Sequence, residues 1–244
     1  VADFSRADHL PHNRPDGQPP HPSWLPRQRR GTTPQMIGRY PDYDVFDAVD
    51  TWDPATRKVI EDRMALAGRP LRFFTTEQEP TVRAFCDVVL AQDCEPRVPV
   101  VEFVDDKLFC GRSEGYRYAD MPDEPGVWRL VLAGLDEEAR ARGAGGFADL
   151  DLDAQSEIVD AFAGGDLTGG SWDELHVSRA WEVVMAGVLS GFYSHPWAWN
   201  EIGFGGPAYP RGFMRLGPLG IREPFEAPAA TDEDPVAVVR EGEV

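Results

Sequence analysis

Gly111-Arg112-Ser113-Glu114-Gly115 fits the G-x-S-x-G pattern that lifts a nucleophilic serine onto a sharp turn. His176 and His195 follow, with acids between, in the chain order a hydrolase uses. The chemistry would be acyl transfer through Ser113. The pattern needs a strand before the serine, a helix after it and a parallel sheet beneath. Residues 116–125 are proline-broken instead, so a glycine-rich turn is the structural reading. Asp149, Asp151 and Asp153, with Asp160 at the twelfth position, imitate a calcium loop. Ala154 stands where that loop turns on glycine, and Asp160 replaces its bidentate glutamate, so helix capping competes with cation binding. Residues 203–208 spell G-x-G-x-x-A, but Pro207 and Pro210 forbid the helix on which a pyrophosphate would sit. Asp173 and His176 stand three apart without the Glu-x-x-His pairs of a di-iron bundle, and Cys86, Cys94 and Cys110 lack metal-finger spacing. No acid/base pair, metal set or phosphate loop emerges, so the expectation for this chain is no catalytic residue, no bound cofactor and no metal.

The elements that must position these residues are helical. Asp53-Pro54 reads as an N-cap with proline in the first turn, opening a helix from about residue 54 to 67. Thr76 and Glu79 have capping-box spacing, and Val82, Phe85, Cys86, Val89 and Leu90 then repeat at i, i+3, i+4, i+7 and i+8. Pro99 starts either a helix burying Val100, Phe103, Val104 and Leu108 or a short strand. Val127, Leu130, Val131, Gly134 and Leu135 make another apolar face. Asp153 caps a shorter helix carrying Ile158, Val159 and Phe162, stopped by Gly164-Gly165. The strongest period runs from Asp173 to Tyr193 through Val177, Trp181, Val184, Met185, Val188, Leu189 and Phe192. The fold expected is all-α: a small irregular helical bundle with a long extended N-terminal arm and a Gly/Pro/aromatic-rich C-terminal segment.

The 244 residues carry a net charge of −18, which excludes a nucleic-acid backbone as the main partner. The acid is concentrated: residues 73–191 hold 9 basic and 24 acidic residues, against 11 and 10 in residues 1–72. No run of about 18 apolar residues predicts a membrane span. Residues 1–10 lack a signal-peptide core, and none follows Arg27–Arg30, so cytoplasmic is the default, with a periplasmic address left to a partner or a removed signal. Seven prolines between Pro11 and Pro34 make an extended arm that nonetheless carries Trp24, with Tyr40 and Tyr43 following. The division expected is an arm over 1–52, a helical domain over 53–222 and an acidic tail over 223–244.

Residues 191–213 are unlike an ordinary loop. Phe192, Tyr193, Trp197, Trp199, Phe204, Tyr209 and Phe213 share the stretch with glycines and prolines. So apolar a segment packs on its own helices or is covered by a partner. Gly191-Phe192-Tyr193-Ser194-His195-Pro196, followed by Trp199-Asn200-Glu201-Ile202-Gly203-Phe204-Gly205-Gly206-Pro207, resembles the gluconate 2-dehydrogenase subunit 3 family. Residues 73–78, 99–105 and 147–158 resemble other segments of that family, over about 71–215 in all.

The resemblance implies an accessory role. Members are small subunits of sugar and polyol dehydrogenases, whose large partner is a flavoprotein of the glucose-methanol-choline (GMC) type that holds FAD. The small subunit helps that partner fold, remain stable or be exported. On this reading the partner-facing residues are Trp24, Tyr40 and Tyr43 in the arm, and His195, Trp197, Trp199, Asn200, Phe204, Tyr209, Arg211 and Arg215 near the other end. A stand-alone hydrolase at Ser113 and a calcium-dependent binding module are the alternatives.

Overall fold

Seven α-helices and three short 3-10 helices account for nearly all the regular structure of the computed structural model, which describes residues 44–92, 97–112, 118–202, 204–209 and 212. Among the described residues there is no strand. The all-α expectation holds, and residues 100–109 resolve as helix.

Asp53 caps α1 (Pro54–Met64): its carboxylate accepts from the Thr56 N–H at 2.7 Å, and Pro54 fills the first turn, where no donor is needed. The helix stops at Met64, three residues short of the expected end. The box before α2 (Glu79–Leu90) lies one residue earlier than expected. Thr75 and Gln78 exchange side-chain-to-backbone hydrogen bonds, the Gln78 N–H donating to Thr75 Oγ1 and the Thr75 N–H to Gln78 Oε1. Similarly α5 (Leu152–Gly164) is capped by Asp151, whose carboxylate accepts from the Ala154 N–H at 2.9 Å, while Asp153 sits inside the first turn. Between them lie α3 (Val100–Phe109) and α4 (Glu124–Ala141), the latter capped by Asp123. α6 (Val177–Tyr193) and α7 (Pro196–Ile202) follow.

The chain divides into two units. The larger in described residues spans 66–91 and 99–192 and contains α2 to α5 and nearly all of α6. In it α2 packs against α3, α4 and α5. Phe85, Phe147, Phe162, Trp128 and Trp172 are all fully enclosed, each worth roughly 1.5–3 kcal/mol of burial on the scale for large apolar side chains. Phe162 is the hub: Trp172 lies 5.1 Å from it, centroid to centroid, and Trp181 meets it edge-on at 5.2 Å. Trp172 reaches the core because Gly134 on α4 leaves room; a Cβ there would lie 2.5 Å from its ring. Two carboxylates are buried on α3 as well. Asp105 accepts the backbone N–H groups of Arg72, Phe73 and Phe74 at 2.8–3.0 Å, and Glu102 meets Arg83 at 3.1 Å. They belong inside because each has partners.

The smaller unit gathers described residues 44–65, 92, 97–98, 193–202, 204–209 and 212. Residues 44–52, which composition assigns to the arm, are ordered here. A 3-10 helix, Val45–Thr51, packs on α7, and Val45, Trp52, Ile60 and Trp199 form the core. No helix among the described residues is long and apolar enough to cross a membrane.

Candidate partner-binding segment

After Tyr193 the chain breaks helix, turns through Ser194-His195, and restarts at Pro196, whose fixed φ suits a helix start. The His195 carbonyl accepts from the Ala198 and Trp199 N–H groups, at 3.1 and 3.3 Å. Its imidazole folds back over the new turn. Nδ1 accepts from the Trp197 N–H at 3.3 Å, and the Trp197 ring stands edge-on 4.8 Å away. His195 is 4% exposed, and burial pushes its pKa down to about 4. The neutral form, with Nδ1 free to accept, is the one this turn uses.

α7 then delivers two side chains inward. Asn200 ties the far end of the unit: its Oδ1 accepts from the Val45 N–H at 2.7 Å, and its Nδ2 donates to Asp44 at 3.2 Å. Asp44 in turn caps the 3-10 helix by accepting from the Phe46 N–H at 3.0 Å. Trp199 donates its indole N–H to the Tyr193 carbonyl at 2.6 Å and meets Phe204 edge-on at 5.8 Å. Beyond α7 the Phe204 N–H returns to the Trp199 carbonyl at 2.9 Å. Gly206 adopts φ +71° in a gap bounded by Val45, Trp52 and Trp199, where a Cβ would lie 2.8 Å from Val45. From α1, Arg63 donates to the Ser194 carbonyl at 3.2 Å.

The aromatic segment is therefore partly packed on this chain's own residues and partly exposed. His195, Trp199 and Asn200, expected to face a partner, are buried inside the unit. Trp197 is half-buried, while Tyr193, Ile202, Phe204 and Tyr209 are exposed, Tyr209 by 67%. Trp24, Tyr40, Tyr43, Arg211 and Arg215 lie outside the described residues. Sequence reasoning missed the supports Asp44, Val45 and Arg63. A contact between Val45 and Asn200 spans 155 residues and leaves no periodic trace. Trp52 was the one visible signal, an aromatic at the edge of a Pro-rich stretch.

The other motifs serve local structure where they can be followed. Gly111 comes directly after α3 rather than after a strand, and Ser113 lies outside the described residues. Asp151 is occupied as a cap, and Asp173 accepts from the Gly169 N–H at 2.9 Å. α7 precedes the 203–208 glycines instead of following them, and Gly203 itself is outside the described residues. Cys86 is enclosed and its thiol pKa is pushed up by burial; Cys110 is exposed; Cys94 is outside the described residues. Among the described residues no group of three or more His, Cys, Asp or Glu is placed to hold a metal ion.

The described residues form a helical chain with apolar side chains exposed on both sides of the 194–196 turn in sequence. The family model for gluconate 2-dehydrogenase subunit 3 matches residues 76–206, more than half the chain, and the chain belongs to that family. Neither the curated proteins nor the solved structures contain a match.

Proposed function

We propose that this chain is the non-catalytic small subunit of a flavin-dependent dehydrogenase complex acting on sugars, glycosides or polyols. Its partner would be an FAD-bearing catalytic subunit of the GMC type, and the flavin belongs to that partner. The observation that carries the reading is the family match over 76–206, which ends within the aromatic segment. The geometry supports it: Tyr193, Ile202, Phe204 and Tyr209 are exposed around a turn fixed by Trp199 and Asn200. Exposed aromatics on a preorganised support lose little entropy on docking.

The mode of action follows from linkage. A subunit that binds only the folded partner raises that partner's stability by RT ln(1 + [L]/Kd), about 2.7 kcal/mol at a hundredfold excess over Kd. Arg211 and Arg215 would pair with partner carboxylates, and Trp24, Tyr40 and Tyr43 would extend the contact through the arm. The test is isolation of the tagged chain from its native host at modest salt, with mass and visible spectrum of the eluate. A second, larger protein with flavin absorbance is the expected result. A colourless, monodisperse monomer overturns it.

A further inference from the structure

In the smaller unit, α1 carries the cations Arg57, Lys58 and Arg63. The first two are answered on this chain: Arg57 meets Asp50 at 3.1 Å and Lys58 meets Asp62 at 2.8 Å. Arg63 meets no carboxylate among the described residues, in a chain with 42 acids. Its half-buried guanidinium has five N–H donors and makes one hydrogen bond, to the Ser194 carbonyl at 3.2 Å. Burial, with no acid to offset it, holds its pKa below the ordinary arginine value. The residue after Ser194 supplies a second unanswered donor. His195 Nδ1 accepts from the Trp197 N–H, which leaves the ring proton on Nε2. Nε2 has no partner among the described residues, yet it is not one of the enclosed side-chain atoms.

A cation and a neutral N–H donor thus flank one peptide unit, Ser194–His195. The acceptor that suits both is a carboxylate, with charge for the guanidinium and a second oxygen for the imidazole N–H. Trp197, edge-on to the imidazole at 4.8 Å, and Tyr193, 48% exposed, stand beside them. Aromatic side chains at the rim exclude water from such a pair and strengthen it. The exposed Ile202, Phe204 and Tyr209 on the same segment offer the area on which a protein, rather than a small acid, docks. We propose that the Arg63 guanidinium and the His195 Nε2–H together bind an Asp or Glu side chain of the flavoprotein partner. This rests on the reading of the chain as that partner's small subunit, and adds the chemistry by which the partner is held. Docking gives a half-buried cation the counter-charge that the described residues do not supply.

The experiment uses the full-length tagged chain purified with its flavoprotein from the native host, and reads the flavin retained over a dilution series. Arg63→Gln should weaken retention at least about tenfold. His195→Asn keeps an acceptor for the Trp197 N–H but removes the Nε2–H, and should weaken it about fivefold. Melting curves of the isolated variants separate docking from folding. Arg63→Lys keeps the charge and decides the matter even if the other two unfold. A zero-length carbodiimide condenses an amine with a carboxylate in contact, releasing water. With the Arg63→Lys complex it should join position 63 to an Asp or Glu peptide of the flavoprotein. Parent-like retention by Arg63→Gln overturns the proposal and leaves the small-subunit reading standing. A link from position 63 only to this chain's own acids, or no link there, overturns it as well. A parent that brings down no flavoprotein overturns the reading and the proposal together.

Discussion

His195 and Asn200 show how much of the smaller unit hangs on single side chains. With a folded pKa near 4 and an unfolded value near 6.5, His195 binds its proton more weakly in the folded chain. The unfolded state therefore takes up the proton first as pH falls. The stability that neutral His195 supplies is complete above about pH 6.5, declines between 6.5 and 4, and declines no further below 4. A pKa unit is worth about 1.4 kcal/mol, so the loss by pH 4.5 is on the order of 2–3 kcal/mol. Urea unfolding of the parent and His195→Gln at pH 7 and 4.5 measures it. The parent should lose about 2 kcal/mol more than the variant over that interval, and parallel losses would sink the assignment. Asn200→Ala acts differently. It strands a buried Val45 N–H and removes a donor from Asp44, at a cost of roughly 1–3 kcal/mol at any pH near neutral. The same unfolding measurement at pH 7 reads that loss.

At the scale of elements, helix propensity and packing give opposite signs for one substitution. Alanine in place of glycine inside a helix ordinarily stabilises by about 1 kcal/mol. Gly134→Ala should instead destabilise, because its Cβ would lie 2.5 Å from Trp172, whose ring is enclosed. Overpacking of this kind costs typically 1–3 kcal/mol, enough to reverse the propensity gain. Thermal melting followed by tryptophan fluorescence should show a lower Tm, and a raised one would show that Trp172 can move.

The same elements mark where the sequence was legible. The apolar periods of α2 and α5 announced helices and their inner faces, because a 3.6-residue repeat survives in the chain itself. The α6 period also took in Leu189, which is exposed, and its helix begins at Val177 rather than at Asp173, where a separate 3-10 turn intervenes. Cap positions slipped by one or two residues, since Thr75 and Thr76, or Asp151 and Asp153, offer the same chemistry. Only the hydrogen bonds choose between them. The α3 face was read as wholly apolar, yet Glu102 and Asp105 are buried there. Their partners, Arg83 and the 72–74 backbone, come from other elements and so leave no local pattern. Trp128 escaped the α4 face for a related reason: it lies beside Val127 and widens the stripe rather than repeating it.

For the whole molecule, the aromatic segment divides into side chains that hold the unit together and side chains that it displays. Composition signalled that residues 191–213 were special but could not sort them, because burial here is set by residues 44–65. Sorting them makes the proposed partnership testable without confusing docking with folding. Trp199→Ala removes an indole that bonds the Tyr193 carbonyl and fills the core with Val45, Trp52 and Ile60. It should cost about 3–5 kcal/mol and so abolish partner binding indirectly. Ile202 and Tyr209 are exposed, so Ile202→Ala with Tyr209→Ala should leave the Tm of the isolated chain almost unchanged. If these side chains are interface anchors, each truncation costs about 1–2 kcal/mol of binding. Together they would weaken retention of the flavoprotein by roughly 30-fold to 1,000-fold. The measurement pairs a melting curve of each variant with flavin absorbance retained after co-purification. Unchanged Tm with lost flavin places the partner on this face. Unchanged Tm with full flavin moves the interface elsewhere on the chain, to surfaces that Trp199 does not support.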